Sequence, residues 1–217
     1  AKQENPLSRL KKIIDYHDAP IATISYFVHS MISDAVSENG FKVSFSGTSA
    51  DELFTGYYDH FLLHLNEMRS SANYTDCLND WTEFIRPHTR NPDLQNPNLY
   101  YEKSNFRDHI FDASNHIQEY FLEPFTESYT EKFFTENLLR NRMLNELFHE
   151  ITPVVLHEDD LNSMLYSVEN RSPYLDRNLQ KFAYSIPPQH LINNGYGKNI
   201  LRKAMEGCLN NTVRLDR

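Results

Sequence analysis

The sequence predicts an α/β chain that is mostly α-helical with few short strands, on three observations. Apolar residues recur at three and four along most of its length, which is helical spacing. Only six of the 217 residues are glycine, which suits helices joined by few tight turns. One short run, Val43 to Ser46, has the composition of a strand buried in a sheet and is bounded by Gly40 and Gly47.

Taken in order, Leu7, Leu10, Ile13 and Ile14 mark a first helix that Asp18-Ala19-Pro20 breaks. Ile24, Phe27, Val28, Met31, Ile32 and Ala35 form one face of a second helix over residues 21–36. Asn39-Gly40 caps it, since both residues tolerate the left-handed conformation. Helix, glycine turn and strand make half of a βαβ crossover. Beyond Tyr57 a helix runs through His60, Phe61, His64, Leu65 and Met68. Residues 70–104 form a loop-rich excursion, with Pro87, Pro92 and Pro97 and one short helix near 77–85, fitting either a binding loop or a surface insertion. From Asn105 the pattern is helical almost throughout, clearest over 136–151, and Pro153 opens another helix at a first-turn position. Arg171-Ser172-Pro173 interrupts, and a last helix is expected over 198–205.

Composition narrows the function. The length allows one domain with a real core, here taken as residues 1–217 with the excursion inside it. A formal net charge of −9 with no basic stripe speaks against binding along a nucleic-acid backbone. Two distant cysteines, Cys77 and Cys208, make no disulfide framework and fit a reducing, cytoplasmic setting. No apolar run approaches a membrane span, so no membrane partner is expected. His60 and His64 are four apart but lack an HExxH frame, and an aromatic-rich helix face accounts for them. There is no GxSxG, GxGxxG or Walker loop.

The most informative stretch is Ser46-Gly47-Thr48-Ser49-Ala50-Asp51-Glu52-Leu53-Phe54-Thr55-Gly56-Tyr57. Ligands of open α/β sheets sit beyond the carboxyl ends of the strands. Small residues there admit a ligand close to the backbone, and Asp51 is placed to hold a hard cation such as Mg²⁺. A strand, a turn and an acid-rich helix start explain the same residues without a ligand. Lys198, after Gly197, opposes the dipole of the helix it opens by about 0.3–1 kcal/mol, and a bound phosphate reverses that cost. Arg171 lies beside Glu169 and Asp176, where an ion pair holding the loop suffices.

Ser-Gly-x-x-Ala-Asp-Glu-Leu-Phe-x-Gly-Tyr resembles the signature of the asparagine synthetase family's synthetase domain. Two further runs agree in order and interval. Asp160-Leu161-Asn162-Ser163-Met164 with Ser167 to Asp176 resembles D-x-x-S-M followed by S-x-E-x-R-x-P-F-L-D. Gly197 to Arg202 resembles G-K-x-x-L-R. The resemblance implies a Rossmann-like parallel sheet of the ATP-pyrophosphatase type, of the adenine-nucleotide alpha-hydrolase kind. ATP there adenylates a carboxylate, and ammonia displaces AMP. It places Ser46 and Gly47 near the adenosine, Asp51 on Mg²⁺, Lys198 on phosphate oxygens or the acyl-adenylate, and Tyr57 along the pocket. Thr48 and Arg171 match motif positions. Partners implied are a small carboxylic acid and a glutaminase domain supplying ammonia from glutamine; a homodimer is compatible.

Two departures shape the expectation. The family's S-G-G-x-D-S pyrophosphate loop and its glutaminase domain are absent from these residues, so the chain is expected to be part of a longer enzyme and inactive alone. Secondly, Thr48 stands where asparagine synthetases usually carry Glu, and a threonine cannot take a proton usefully near neutral pH. Thr48 and the excursion lean towards a relative that amidates a bulkier acid, such as a sugar acid in surface polysaccharide assembly. Aspartate as acceptor and a non-catalytic helical interaction module are the other readings carried forward.

Overall fold

The computed structural model describes residues 4–111, 120–123 and 130–216. Within them the chain is mostly helical, with one two-stranded parallel sheet, as the α/β expectation has it. Residues 112–119 and 124–129 of the helical tract expected after Asn105 lie outside the described residues. The chain divides into two compact units, Ala1–Ser49 with Glu146–Gln180 and Ala50–Asn145 with Lys181–Arg217.

The first unit is two helix-strand pairs side by side. Its first helix, Pro6–His17, is capped by the Asn5 side chain, which accepts from the Leu7 amide at 2.9 Å, with Pro6 at the opening turn. The Ile24–Glu38 helix ends as the sequence expects: Gly40 takes φ +80° and its amide closes on the Ser37 carbonyl at 2.9 Å. Strand β1, Val43–Phe45, follows. The second pair is the Thr152–Met164 helix and β2, Glu169–Arg171. The strands run parallel, with Val43 opposite Glu169 and Phe45 opposite Arg171. The two long helices pack against each other.

Two expectations about this unit need correction. Val43 and Phe45 are not buried; Phe45 is 71% exposed. Strand side chains alternate, so 43 and 45 share one face, which is covered only in part: Val43 is 37% exposed. Likewise Ile24, Val28 and Ile32 of the apolar helix face are exposed, while Tyr26 and Ser30 are the buried positions of that helix.

The second unit buries its apolar residues far more fully. Phe54, Leu62, Leu63, Leu65, Trp81, Tyr100, Leu139 and Met143 are all within a few per cent of complete burial. The excursion over 70–104 belongs to this core: the Tyr74–Asp80 helix widens into a π-helical turn, Trp81–Ile85, and Trp81, Leu94, Leu99 and Tyr100 anchor it. The Leu138–Asn145 helix contributes a polar buried side. Arg142 sits in it with Nη1 on Asp59 at 2.7 Å, Nε on Glu131 at 2.6 Å and Nη2 on the Phe106 carbonyl at 3.3 Å. An arginine so enclosed is tolerable only because its charge is matched and its donors are used.

Candidate functional site

The predicted site residues fall into two sets, one in each unit. In the first unit, β1 and β2 end together, and the Ser46 amide extends the ladder to the Arg171 carbonyl at 2.8 Å. Just past those ends the side chains form a chain of hydrogen bonds. Ser172 Oγ and Ser46 Oγ lie 3.0 Å apart, and Ser46 Oγ and Thr48 Oγ1 a further 3.0 Å. Thr48 Oγ1 donates to Asp159 Oδ2 at 3.4 Å, and Asp159 Oδ1 meets His29 Nδ1 at 2.9 Å. This is the carboxyl end of a parallel sheet, where α/β folds take their ligands. Gly47 is exposed, and a Cβ built on it would meet nothing within 4 Å, so the turn leaves open room beside the backbone.

One buried contact holds this turn, and the polar residues at and after the end of β2 are engaged elsewhere. Ser49 adopts φ 73°, and its hydroxyl is buried 3.0 Å from that of Thr152. Arg171 points its exposed guanidinium at Glu169, at 2.9 Å, rather than at Asp176. That contact holds the Glu169 carboxyl below its ordinary range, chiefly through the hydrogen bond. Asp176 instead caps the Arg177–Ser185 helix, accepting from the Asn178 and Leu179 amides at 2.9 Å each.

In the second unit Asp51 and Lys198 are brought together from positions 147 residues apart: Lys198 Nζ donates to Asp51 Oδ1. The sequence places Lys198 at the head of a helix; the structure puts it one residue before the Asn199–Ala204 helix, with φ 53°. Its amide donates to the Phe54 carbonyl at 3.1 Å, tying it to the Thr55–Gly56 turn. Thr55 is itself buried at φ 72°, an outlier for a β-branched residue that the surrounding structure must hold in place. Gly56 is required here for space: a Cβ would overlap Asp51 Oδ1 and come within 2.7 Å of Lys198 Nζ. The ion pair is therefore seated on bare backbone.

Tyr57 donates its hydroxyl to Glu52 at 2.7 Å and packs edge-on to His60. His60 Nδ1 accepts from the Gly56 amide at 3.3 Å. His64 is buried with Nε2–H donating to the Pro188 carbonyl at 3.2 Å, and burial pushes its pKa down to about 4. Beside Lys198 a pocket of about 330 Å³ opens, bounded by Gly56, Tyr58, Phe84, His88, Tyr196 and Arg202 among others. No spacing in the sequence signals it: Phe84 and His88 come from the excursion, and Arg202 from the last motif. Asp159 and His29 were likewise not singled out, because one acid among three in a row and one histidine on a helix carry no spacing signal.

Searches of curated proteins and of solved structures each returned no match. A family model described as asparagine synthase matches residues 1–216, nearly the whole chain. With three motifs in order and the Asp51–Lys198 pair assembled from two of them, the chain belongs to the asparagine synthase family, a family of ATP-dependent amide-forming ligases.

Proposed function

We propose that this chain carries the adenylating part of a cytoplasmic, glutamine-fed ligase whose acceptor is a carboxylic acid larger than aspartate, of the sugar-acid class. The observation that carries the acceptor is the pocket beside Lys198. Lys198 and Arg202 bring positive charge and His88 an imidazole to the lining, while Tyr58, Phe84 and Tyr196 offer ring faces, a lining suited to a ring-bearing anion. Its volume lies in the range of sites for small organic ligands.

Each unit contributes on its own to holding the ATP that the family uses. In the first, Ser46 and the open Gly47 turn, at the end of the parallel strands, offer small residues and bare backbone to a nucleoside. In the second, Lys198 offers an ammonium to phosphate oxygens, with Asp51 fixing its position until substrate arrives. Asp51 would also hold Mg²⁺ together with phosphate oxygens, the usual arrangement when few protein carboxylates are offered. A bound Mg²⁺ neutralises charge at phosphorus during adenylation. Tyr57 acts through Glu52 to brace the turn, and Arg171 through Glu169 to brace β2.

The test is a panel of aspartate, glutamate, glucuronate and galacturonate with ATP, Mg²⁺ and ammonium, run on the full-length protein and on Thr48→Glu, with AMP and amide measured. The proposal expects a uronic acid to be preferred by the unmodified protein, and Thr48→Glu to weaken that preference. Aspartate emerging as clearly the best acceptor returns the protein to asparagine synthesis.

A further inference from the structure

Two departures from regular backbone, both in the second unit, meet at one wall of the pocket beside Lys198. The first is the π-helical turn Trp81–Ile85. A π-turn widens the helix locally, and such turns recur at functional sites. Here Trp81 and Ile85 are buried, while Phe84 is only half-buried and lines the pocket. The second is the tight turn from Asn193 to Tyr196. The Asn193 amide donates to the Tyr196 carbonyl at 3.2 Å, and the Tyr196 amide to the Asn193 carbonyl at 2.9 Å. Its central residues, Asn194 and Gly195, take φ 51° and 70°, which is why Asn-Gly suits the turn.

The turn and the ring touch. A Cβ built on Gly195 would lie 2.7 Å from Phe84 Cδ2 and 2.8 Å from Phe84 Cβ, so Phe84 is seated directly on the glycine backbone. Resting on the reading of this pocket as the acceptor site, we infer that Phe84 is the specificity-determining residue for acceptor size: its ring closes the pocket behind one sugar ring and excludes a second. Lys198 and Arg202, on the same lining, supply the charge that selects an acid. Charge attraction does not distinguish one uronic acid from two linked ones. A fixed ring does, because the longer acid must overlap it.

A size filter works only if it does not swing aside, and three contacts hold this one. Trp81 is 3% exposed and Ile85 8%, so the π-turn is pinned in the core on either side of Phe84. The Arg86 guanidinium lies 5.9 Å from the centre of the Trp81 ring, at the far end of the same turn. Buried Gly195 backs Phe84 itself, and a side chain there would drive the ring off its seat. The excursion over 70–104 thereby gains a role that its wording did not announce: it delivers one ring to one wall.

The test is direct binding to the full-length protein by titration calorimetry, with galacturonate, digalacturonate and aspartate as probes and no ATP present. The unmodified protein is expected to bind galacturonate at least about tenfold more tightly than digalacturonate, and Phe84→Ala to bring the two within about threefold of each other. Phe84→Leu, a milder change that keeps an apolar anchor, should narrow the gap in the same direction. Gly195→Ala should lower the melting temperature, and adding Phe84→Ala to it should recover part of that loss, since the overlap is with the ring. The inference is overturned if galacturonate binds the unmodified protein but both Phe84 variants keep the same ratio between the two sugar acids. It is overturned equally if Phe84→Ala leaves the Gly195→Ala loss in full. Binding of aspartate alone, or of none of the three acids, by the unmodified protein overturns the acceptor reading itself, and the size filter with it.

Discussion

The two units handle apolar surface in opposite ways. The second encloses Leu62, Leu63, Trp81, Tyr100 and Leu139 almost completely and even takes Arg142 inside, matched by Asp59 and Glu131. The first leaves Ile24, Ile32, Phe41 and Phe45 open. Burial stabilises by about 25 cal/mol per Å² of apolar surface. The second unit therefore holds most of the stability. The hydroxyl chain of the first unit rests on a thinner core, while the Asp51–Lys198 pair of the second rests on a dense one.

The largest expected effect comes from breaking the dense core at its charge. Arg142→Ala leaves Asp59 enclosed without its arginine, at a cost of about 3–5 kcal/mol, read as a drop in the urea midpoint. Next is pH. His64 titrates near 6.5 when unfolded but at about 4 when folded, because burial disfavours its charged form. The unfolded chain thus binds the proton first on acidification. Stability from keeping His64 neutral is complete above pH 6.5 and declines as pH falls from 6.5 towards 4, by about 3 kcal/mol in all. Urea midpoints measured between pH 7 and 4 should show this slope, and His64→Gln should flatten it.

Smaller again is Gly56→Ala. The added methyl must displace Asp51 from Lys198, at about 1–3 kcal/mol of overpacking, and ATP–pyrophosphate exchange should fall by tenfold or more. The smallest effect belongs to the open face of the first unit. Phe45→Ser removes a large apolar side chain that is already 71% exposed, so the urea midpoint should move by no more than about 0.5 kcal/mol equivalent. A loss of several kcal/mol there would mean that the two units do not differ as described.

Local rules made much of the fold legible. Helical spacing found the Pro6–His17 and Ile24–Glu38 helices, and glycine positions found the Gly40 cap and the end of β1. Spacing could not say which face of a helix would be covered, since that depends on residues far along the chain. The exposed Ile32 beside the buried Ser30 is the clearest instance. For the site, wording identified Asp51 and Lys198 separately, but their pairing across 147 residues and the need for a bare Gly56 beneath them are tertiary facts. Asp159 and His29 had no signal at all, because a hydrogen bond between position 29 and position 159 leaves no periodic trace.

The central claim is that Asp51 and Lys198 are a chemical pair serving adenylation, not a structural clasp. ATP–pyrophosphate exchange on the full-length protein, comparing the unmodified chain with Lys198→Ala and with Asp51→Asn, tests it most directly. Each substitution is expected to cost about 2–4 kcal/mol in that step, comparable to removing one transition-state donor, with the melting temperature nearly unchanged. Near-normal exchange with a clearly lowered melting temperature in either variant would contradict it.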